Sequence, residues 1–185
     1  MDIENAIVEF GTQGVLRYRE ISQRPDNELP EVFLGGFIAS HLYDQFHCPV
    51  HIERLYLTLA MECGLGVTPE LVNELGGLRA DLVVYQSELS PAMIELKILD
   101  ERTSPLLIDN DRLKMKKLAC RTRVRPYVGV MICQTSHTLE STIARLQTVL
   151  DRPIRTGPPR RSLTGKWEWC FGCASLLDIT DQGNG

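Results

Sequence analysis

Leu34, Ile38 and Leu42 recur at helical spacing through residues 31–46 (EVFLGGFIASHLYDQF) and predict a helix, although Gly35-Gly36 weaken it. The segment HCPVH then breaks the pattern. In residues 51–63 (HIERLYLTLAMEC), Ile52, Leu55, Tyr56, Leu59 and Cys63 form one apolar stripe and predict a second, stronger helix. Beyond residue 68 the period changes. Gly76-Gly77 and the turn signal SELSP separate three apolar runs, which predict an antiparallel meander. Asp109 is placed to cap a helix running to about Arg121, with Ile108, Met115, Leu118 and Ala119 as its buried stripe. The run YVGVMICQT is continuously apolar and predicts a strand buried on both faces. An amphipathic helix (HTLESTIARLQTVL), a Pro/Gly/Arg loop and a returning strand (KWEWCFGCASLLDI) complete the chain. The order helix, three strands, helix, strand, helix, strand predicts an α/β fold with a mixed central sheet flanked by helices. One domain is expected, with its core at about 51–135, an N-terminal helical segment at 1–50, and a C-terminal helix, basic loop and strand at 136–185.

Composition narrows the class. At 185 residues, with 43% hydrophobic and 24% charged residues, the chain can bury a core without staples. The start MDIENAIVEFG lacks a basic region followed by an apolar run, and no segment approaches the ~20 apolar residues of a membrane span. The six scattered cysteines, with no export signal, lead to an expectation of reduced thiols in a cytoplasm. A net charge of −4 argues against a uniformly basic nucleic-acid binder and leaves room for a local basic groove.

The strand-like stretch RADLVVYQSELSPAMIELKI carries Asp81, Glu95 and Lys97 where apolar neighbours predict burial. Charges are rarely buried without partners, because removing each from water costs several kcal/mol. Side chains alternate along a strand, so Asp81 shares a side with Val83 and Tyr85, and Glu95 and Lys97 share one with Met93. Two carboxylates converging between neighbouring strands repel unless a cation lies between them. Mg²⁺ takes oxygen ligands and binds through one or two carboxylates plus substrate phosphates. A lysine two residues along can serve a water or offset charge growing on a phosphate. A solvated edge pair with a Glu/Lys ion pair would give the same short string.

The arrangement D-x13-E-x-K on two strands resembles the PD-(D/E)XK nuclease superfamily, with its restriction-endonuclease-like αβββαβ core. RADLVVY stands where that family has its first acidic strand, with Ala80 in place of the nominal proline, and IELKI matches its E-x-K strand. The resemblance covers residues 51–135. It implies that Asp81, Glu95 and the backbone carbonyl of Leu96 bind Mg²⁺, with Mn²⁺ as a substitute, and that Lys97 positions the nucleophilic water. It implies a nuclease acting on DNA, with RNA as an alternative polymer, in prokaryotic or phage DNA processing or defence. A chain this short needs a homodimer, a partner protein or a low-specificity substrate. The competing expectation is a non-catalytic nuclease-like module that binds DNA or a partner.

Other residues add to that expectation. Family members often carry a helical glutamate ahead of the core, and Glu53 on the flank of the predicted 51–63 helix is the candidate, either as a ligand or as a solvated carboxylate. Glu31 is a second. Lys114, Lys116 and Arg121 on the lysine-rich helix, and Arg160 and Arg161 in the basic loop, are candidate phosphate contacts, against the alternative of solvated surface. Trp167 and Trp169 are expected to pack on the core. Cys170 and Cys173 form a lone C-x-x-C. Together with Cys48 they fall one short of the four cysteines an iron–sulfur cluster takes, so no cluster is expected.

Overall fold

The computed structural model describes residues 2–25, 28–87, 89–135 and 137–177. Its elements in chain order are α1 (Ile3–Ser22), α2 (Glu31–Phe46), β1 (Val50–Leu55), α3 (Tyr56–Glu62), α4 (Pro69–Leu75), β2 (Arg79–Val84) and β3 (Ala92–Leu99). There follow α5 (Leu107–Ala119), β4 (Arg125–Gln134), α6 (Leu139–Leu150), β5 (Arg155–Thr156), β6 (Arg160–Arg161) and β7 (Glu168–Ser175). The strands form one seven-stranded sheet in the order β1-β2-β3-β4-β7-β5, with β6 also paired to β7. Only β3 and β4 pair in parallel, and the other pairings are antiparallel. The fold is therefore mixed α/β, with a mostly antiparallel open sheet.

Both faces of the sheet are covered. On one face α1 and α2 pack Ile7, Val15, Leu34 and Ile38 against Leu82, Ile94, Leu96 and Phe171. On the other, residues of α3, α4, α5 and α6 pack against Val83, Met93, Val128, Val130 and Ile132. This double burial explains the unbroken apolar run of β4, whose residues after Arg125 are all buried. The tryptophans pack as expected, Trp169 inside the first core and Trp167 against its edge. Asp109 lies in the first turn of α5 rather than capping it, and pairs with Arg112. The stripe Ile108, Met115, Leu118 and Ala119 is buried. No described helix is long and apolar enough to cross a membrane.

Two expected elements are corrected. Residues 50–55 form strand β1, and only Tyr56–Glu62 of the expected 51–63 helix is helical. The expected first strand of the meander, near residue 70, is the helix α4. Thr68 caps it by accepting the Leu71 N–H at 3.2 Å, and Pro69 stands in its first turn. The three-stranded meander is thus β1-β2-β3, with α3 and α4 inserted between its first two strands. The basic loop also contains the short strands β5 and β6.

Candidate active site

The β2–β3 ladder pairs Val84 with Ala92, Val83 with Met93 and Leu82 with Ile94, and then stops. One step further it would set Asp81 opposite Glu95. Instead the Asp81 carboxylate enters the gap, and its Oδ2 accepts the Leu96 N–H at 2.6 Å. A side chain has taken the place of a ladder carbonyl, so the strands part without orphaning that N–H. β3 continues beyond the gap because β4 pairs with it over its full length, from Ala92 to Leu99.

Alternation sends Asp81, Glu95 and Lys97 to the face shared with Val83 and Met93, beneath α3 and α5. Glu95 is only 5% exposed. Its Oε1 accepts a 2.6 Å hydrogen bond from the buried hydroxyl of Tyr56, the first residue of α3. Burial and then the Asp81 charge push the Glu95 carboxyl up to about 8, against the opposing pull of the Tyr56 bond and of Lys97. The Tyr56 hydroxyl is itself raised, by burial and by the neighbouring carboxylates of Glu95, Asp111 and Asp81.

The Lys97 side chain is 25% exposed, and its Nζ lies 3.3 Å from Asp111 Oδ2 on α5. Burial disfavours the ammonium, but Asp111, Glu95, Asp81 and Glu31 overrule it and hold the lysine above its usual value. Asp111 Oδ1 also meets Lys114 at 3.4 Å. Glu31, in the first turn of α2, accepts the Ile98 N–H at 3.2 Å.

The structure therefore brings Asp81, Glu95 and Lys97 together, and adds Tyr56, Asp111 and Glu31. Tyr56 and Asp111 were not among the expected site residues. Asp111 had a signal, because it lies three residues after Ile108 and four before Met115, on the buried stripe of α5. A carboxylate on an apolar stripe needs a partner. Tyr56 carried none, since a tyrosine on such a stripe reads as core.

Glu53 is corrected in its element. It stands on strand β1 with φ 54°, exposed, and the described contacts do not bring its carboxylate to Asp81, Glu95 or Lys97. Its backbone carbonyl accepts from Arg79 at 3.1 Å. Among the expected phosphate contacts, Arg121 is paired with Glu74 at 2.7 Å and Lys116 is half-buried on α5. Arg160 and Arg161 are exposed on β6. Cys170 and Cys173 lie on opposite faces of β7, one in each core, so they cannot converge on one ion.

The donor set suits a hard divalent cation. Asp81 Oδ1 and Glu95 Oε2 accept no hydrogen bond among the described residues, and the Leu96 carbonyl adds a third oxygen from the same stretch of strand. No three His, Cys, Asp or Glu side chains among the described residues form a cage for an ion. Two carboxylates and a carbonyl, completed by water and phosphate oxygens, are what Mg²⁺ uses, whereas a dedicated all-protein cage is not. No family model matches the chain, and neither a curated protein nor a solved structure shows significant similarity to it.

Proposed function

We propose that this protein is a divalent-metal-dependent nuclease that hydrolyses phosphodiester bonds of DNA. The observation that carries the reading is the convergence of Asp81, Glu95 and Lys97 where β2 parts from β3. Two neighbouring carboxylates, one of them buried, are costly to keep without a cation, and their hydrogen bonds to the Leu96 N–H and Tyr56 use only one oxygen of each. The αβββαβ order is met by α2, β1, β2, β3, α5 and β4, with α3 and α4 as an insertion, once α2 replaces the expected 51–63 helix as the first helix and the match is extended to residue 31. Asp81, Glu95 and the Leu96 carbonyl would hold Mg²⁺, which when bound supplies charge neutralisation at the phosphate and a more acidic water. Tyr56 fixes the rotamer of Glu95 and so the direction of its second oxygen. The Lys97 ammonium, kept protonated by Asp111, stabilises negative charge on the phosphoryl oxygens or orients the attacking water.

A second reading rests on a specific contact. The Lys97–Asp111 ion pair satisfies the lysine within the protein, as it would in a non-catalytic module that binds DNA or a partner. Plasmid nicking with Mg²⁺ or Mn²⁺ against EDTA separates the two, run on wild type, Asp81→Asn, Glu95→Gln and Lys97→Ala. The nuclease reading expects metal-dependent cleavage that falls by roughly 10²–10⁴ in each variant. Metal binding by calorimetry without cleavage of DNA or RNA would overturn it in favour of the module.

A further inference from the structure

The β6–β7 hairpin (RRSLTGKWEW) carries Arg160, Arg161 and Lys166 against a single acid, Glu168, in a chain whose net charge is −4. Arg161 pairs with Glu168 across the ladder, and its side chain is 81% exposed with only a loose 3.9 Å contact to that carboxylate. Arg160 and Lys166 are exposed and make no ion pair among the described residues. The last turns of α1 dock here as well, with Arg19 Nη1 donating to the Arg161 carbonyl at 3.2 Å. Arg160 is level with Trp169 and so stands on the α1 side of the sheet, as Arg19 does, whereas Arg161 stands on the other side, so the hairpin presents exposed cations on both faces at this end of an otherwise acidic molecule. By contrast, Lys114 and Lys117 on α5, and Arg121 just after it, are already tied to Asp111 or Glu74.

The sheet register fixes where this spot lies relative to the carboxylate cluster. Lys97 is level with Val130 on β4, Gln134 at the end of β4 is level with Glu168, and Glu168 is level with Arg161. Arg161 thus sits three strand spacings across and four residues beyond Lys97. At about 4.8 Å per strand and about 3.3 Å per residue, that is a separation of about 20 Å. The cross-strand partner of Glu168 shares its face of the sheet, and Glu168 is an odd step from Trp169 in the α1-side core, so Arg161 stands on the face of Lys97. A span of about 20 Å corresponds to about six base pairs of duplex.

We propose that the β6–β7 hairpin, with Arg19 at the end of α1, is a phosphate-binding surface that holds a nucleic-acid strand at the same end of the sheet as the carboxylate cluster. It deepens the nuclease reading by naming where the polymer lies, and its test requires no turnover. The chemistry is a group of exposed cations, of which Arg161 is only loosely paired, meeting a polyanion, which releases counterions on contact and makes affinity salt-dependent. No base-reading group is invoked, so single strands and duplexes both bind and sequence matters little.

The test is fluorescence anisotropy of labelled single-stranded and duplex DNA in EDTA, over a series of KCl concentrations. The wild-type chain is compared with Arg160→Gln/Arg161→Gln/Lys166→Gln, with Arg19→Gln and with the control Lys117→Gln. Neutralising each true contact flattens the log K against log [salt] slope by about 0.7–0.9 and weakens binding roughly tenfold at ~0.1 M salt. Lys117→Gln leaves the slope unchanged. A triple variant with wild-type Tm and wild-type slope overturns the proposal, as does a wild-type chain that binds anionic phosphatidylserine vesicles and no nucleic acid. If the triple variant loses Tm, Arg160→Gln alone decides, since that exposed side chain makes no hydrogen bond or ion pair among the described residues. Binding that follows these slopes without any metal-dependent cleavage retains the surface and removes only the nuclease.

Discussion

The Tyr56–Glu95 hydrogen bond couples the titration of one carboxyl to the stability of the whole chain. Glu95 takes up its proton near 8 in the folded protein and near the ordinary carboxylate value when unfolded. Below the ordinary value both states are protonated and nothing is lost. As pH rises from about 4.5 toward about 8, the unfolded chain gives up its proton while the native one retains it, so metal-free protein loses stability across that window, on the order of a few kcal/mol. Urea unfolding in EDTA should show this fall, and Glu95→Gln should flatten it. Tyr56→Phe removes a bond that favours the ionised carboxylate. Its cost should be about 1–3 kcal/mol and larger at pH 9 than at pH 6, which the same unfolding series measures. A pH-independent cost would mean that the hydroxyl matters only as filler. Asp111 acts on Lys97 in the same way. In Asp111→Asn the lysine loses its closest supporting charge and releases its proton at lower pH. Any alkaline limb of the cleavage rate that depends on Lys97 should then move to lower pH, and an unmoved limb would separate Asp111 from the lysine's role.

At the scale of elements, what was legible depended on whether local pattern and long-range pairing agreed. Residues 31–46 read as a helix and are one, because the apolar positions Leu34, Ile38 and Leu42 face the sheet as their spacing requires. The continuous run in β4 and the amphipathic run in α6 are equally faithful. Residues 51–63 misled because their helical stripe is real but only half used. The first part pairs with β2 through Val50–Val84, Ile52–Leu82 and Arg54–Ala80, and a sheet edge overrode the local preference. Within β1, Glu53 has φ 54°, where non-glycine residues are uncommon, and the ladder to β2 skips it before resuming at Arg54–Ala80, whereas the switch to helix comes at Leu55. Asp81, Glu95 and Lys97 were legible because charges stood out in apolar strands. Glu53 was misplaced with the helix that carried it. Glu53→Gly should be neutral to slightly stabilising, whereas Glu53→Val, with its branched Cβ, should cost about 1–2 kcal/mol in urea unfolding. Neither should change Mn²⁺ affinity by calorimetry, in contrast to Asp81→Asn.

For the whole molecule, the chain path makes the two ends of the sheet unlike. β3 and β4 finish, and β2 and β7 begin, at the end that holds Lys97 and the basic hairpin. The helices α2, α5 and α6 start at that same end, as the Glu31–Ile98 contact and the short connections from β3 and β4 require. Their positive dipole ends therefore face the side to which a polyanion would come. Strand order was not readable from composition or period, because pairing of β7 between β4 and β5 is a choice among distant segments that no local pattern records.

Gly129, on β4 beside Leu96, has a reach beyond its size. A Cβ there would stand 2.9 Å from Leu96 Cδ2 and 3.2 Å from Ile7 Cγ2, on the α1 side of the sheet. Leu96 lies between Glu95 and Lys97, so its seating on the helix side sets the pitch of the strand that presents both charges on the opposite side. Gly129→Ala should cost about 1–3 kcal/mol by crowding, measured as a lower Tm. It should also weaken Mn²⁺ binding without altering a single polar atom. In a random-mutagenesis screen for lost function, hits should accordingly accumulate on Gly129, Leu96 and Ile7 as well as on the charged residues, and a map of such hits drawn on one face of the sheet would print through to the other.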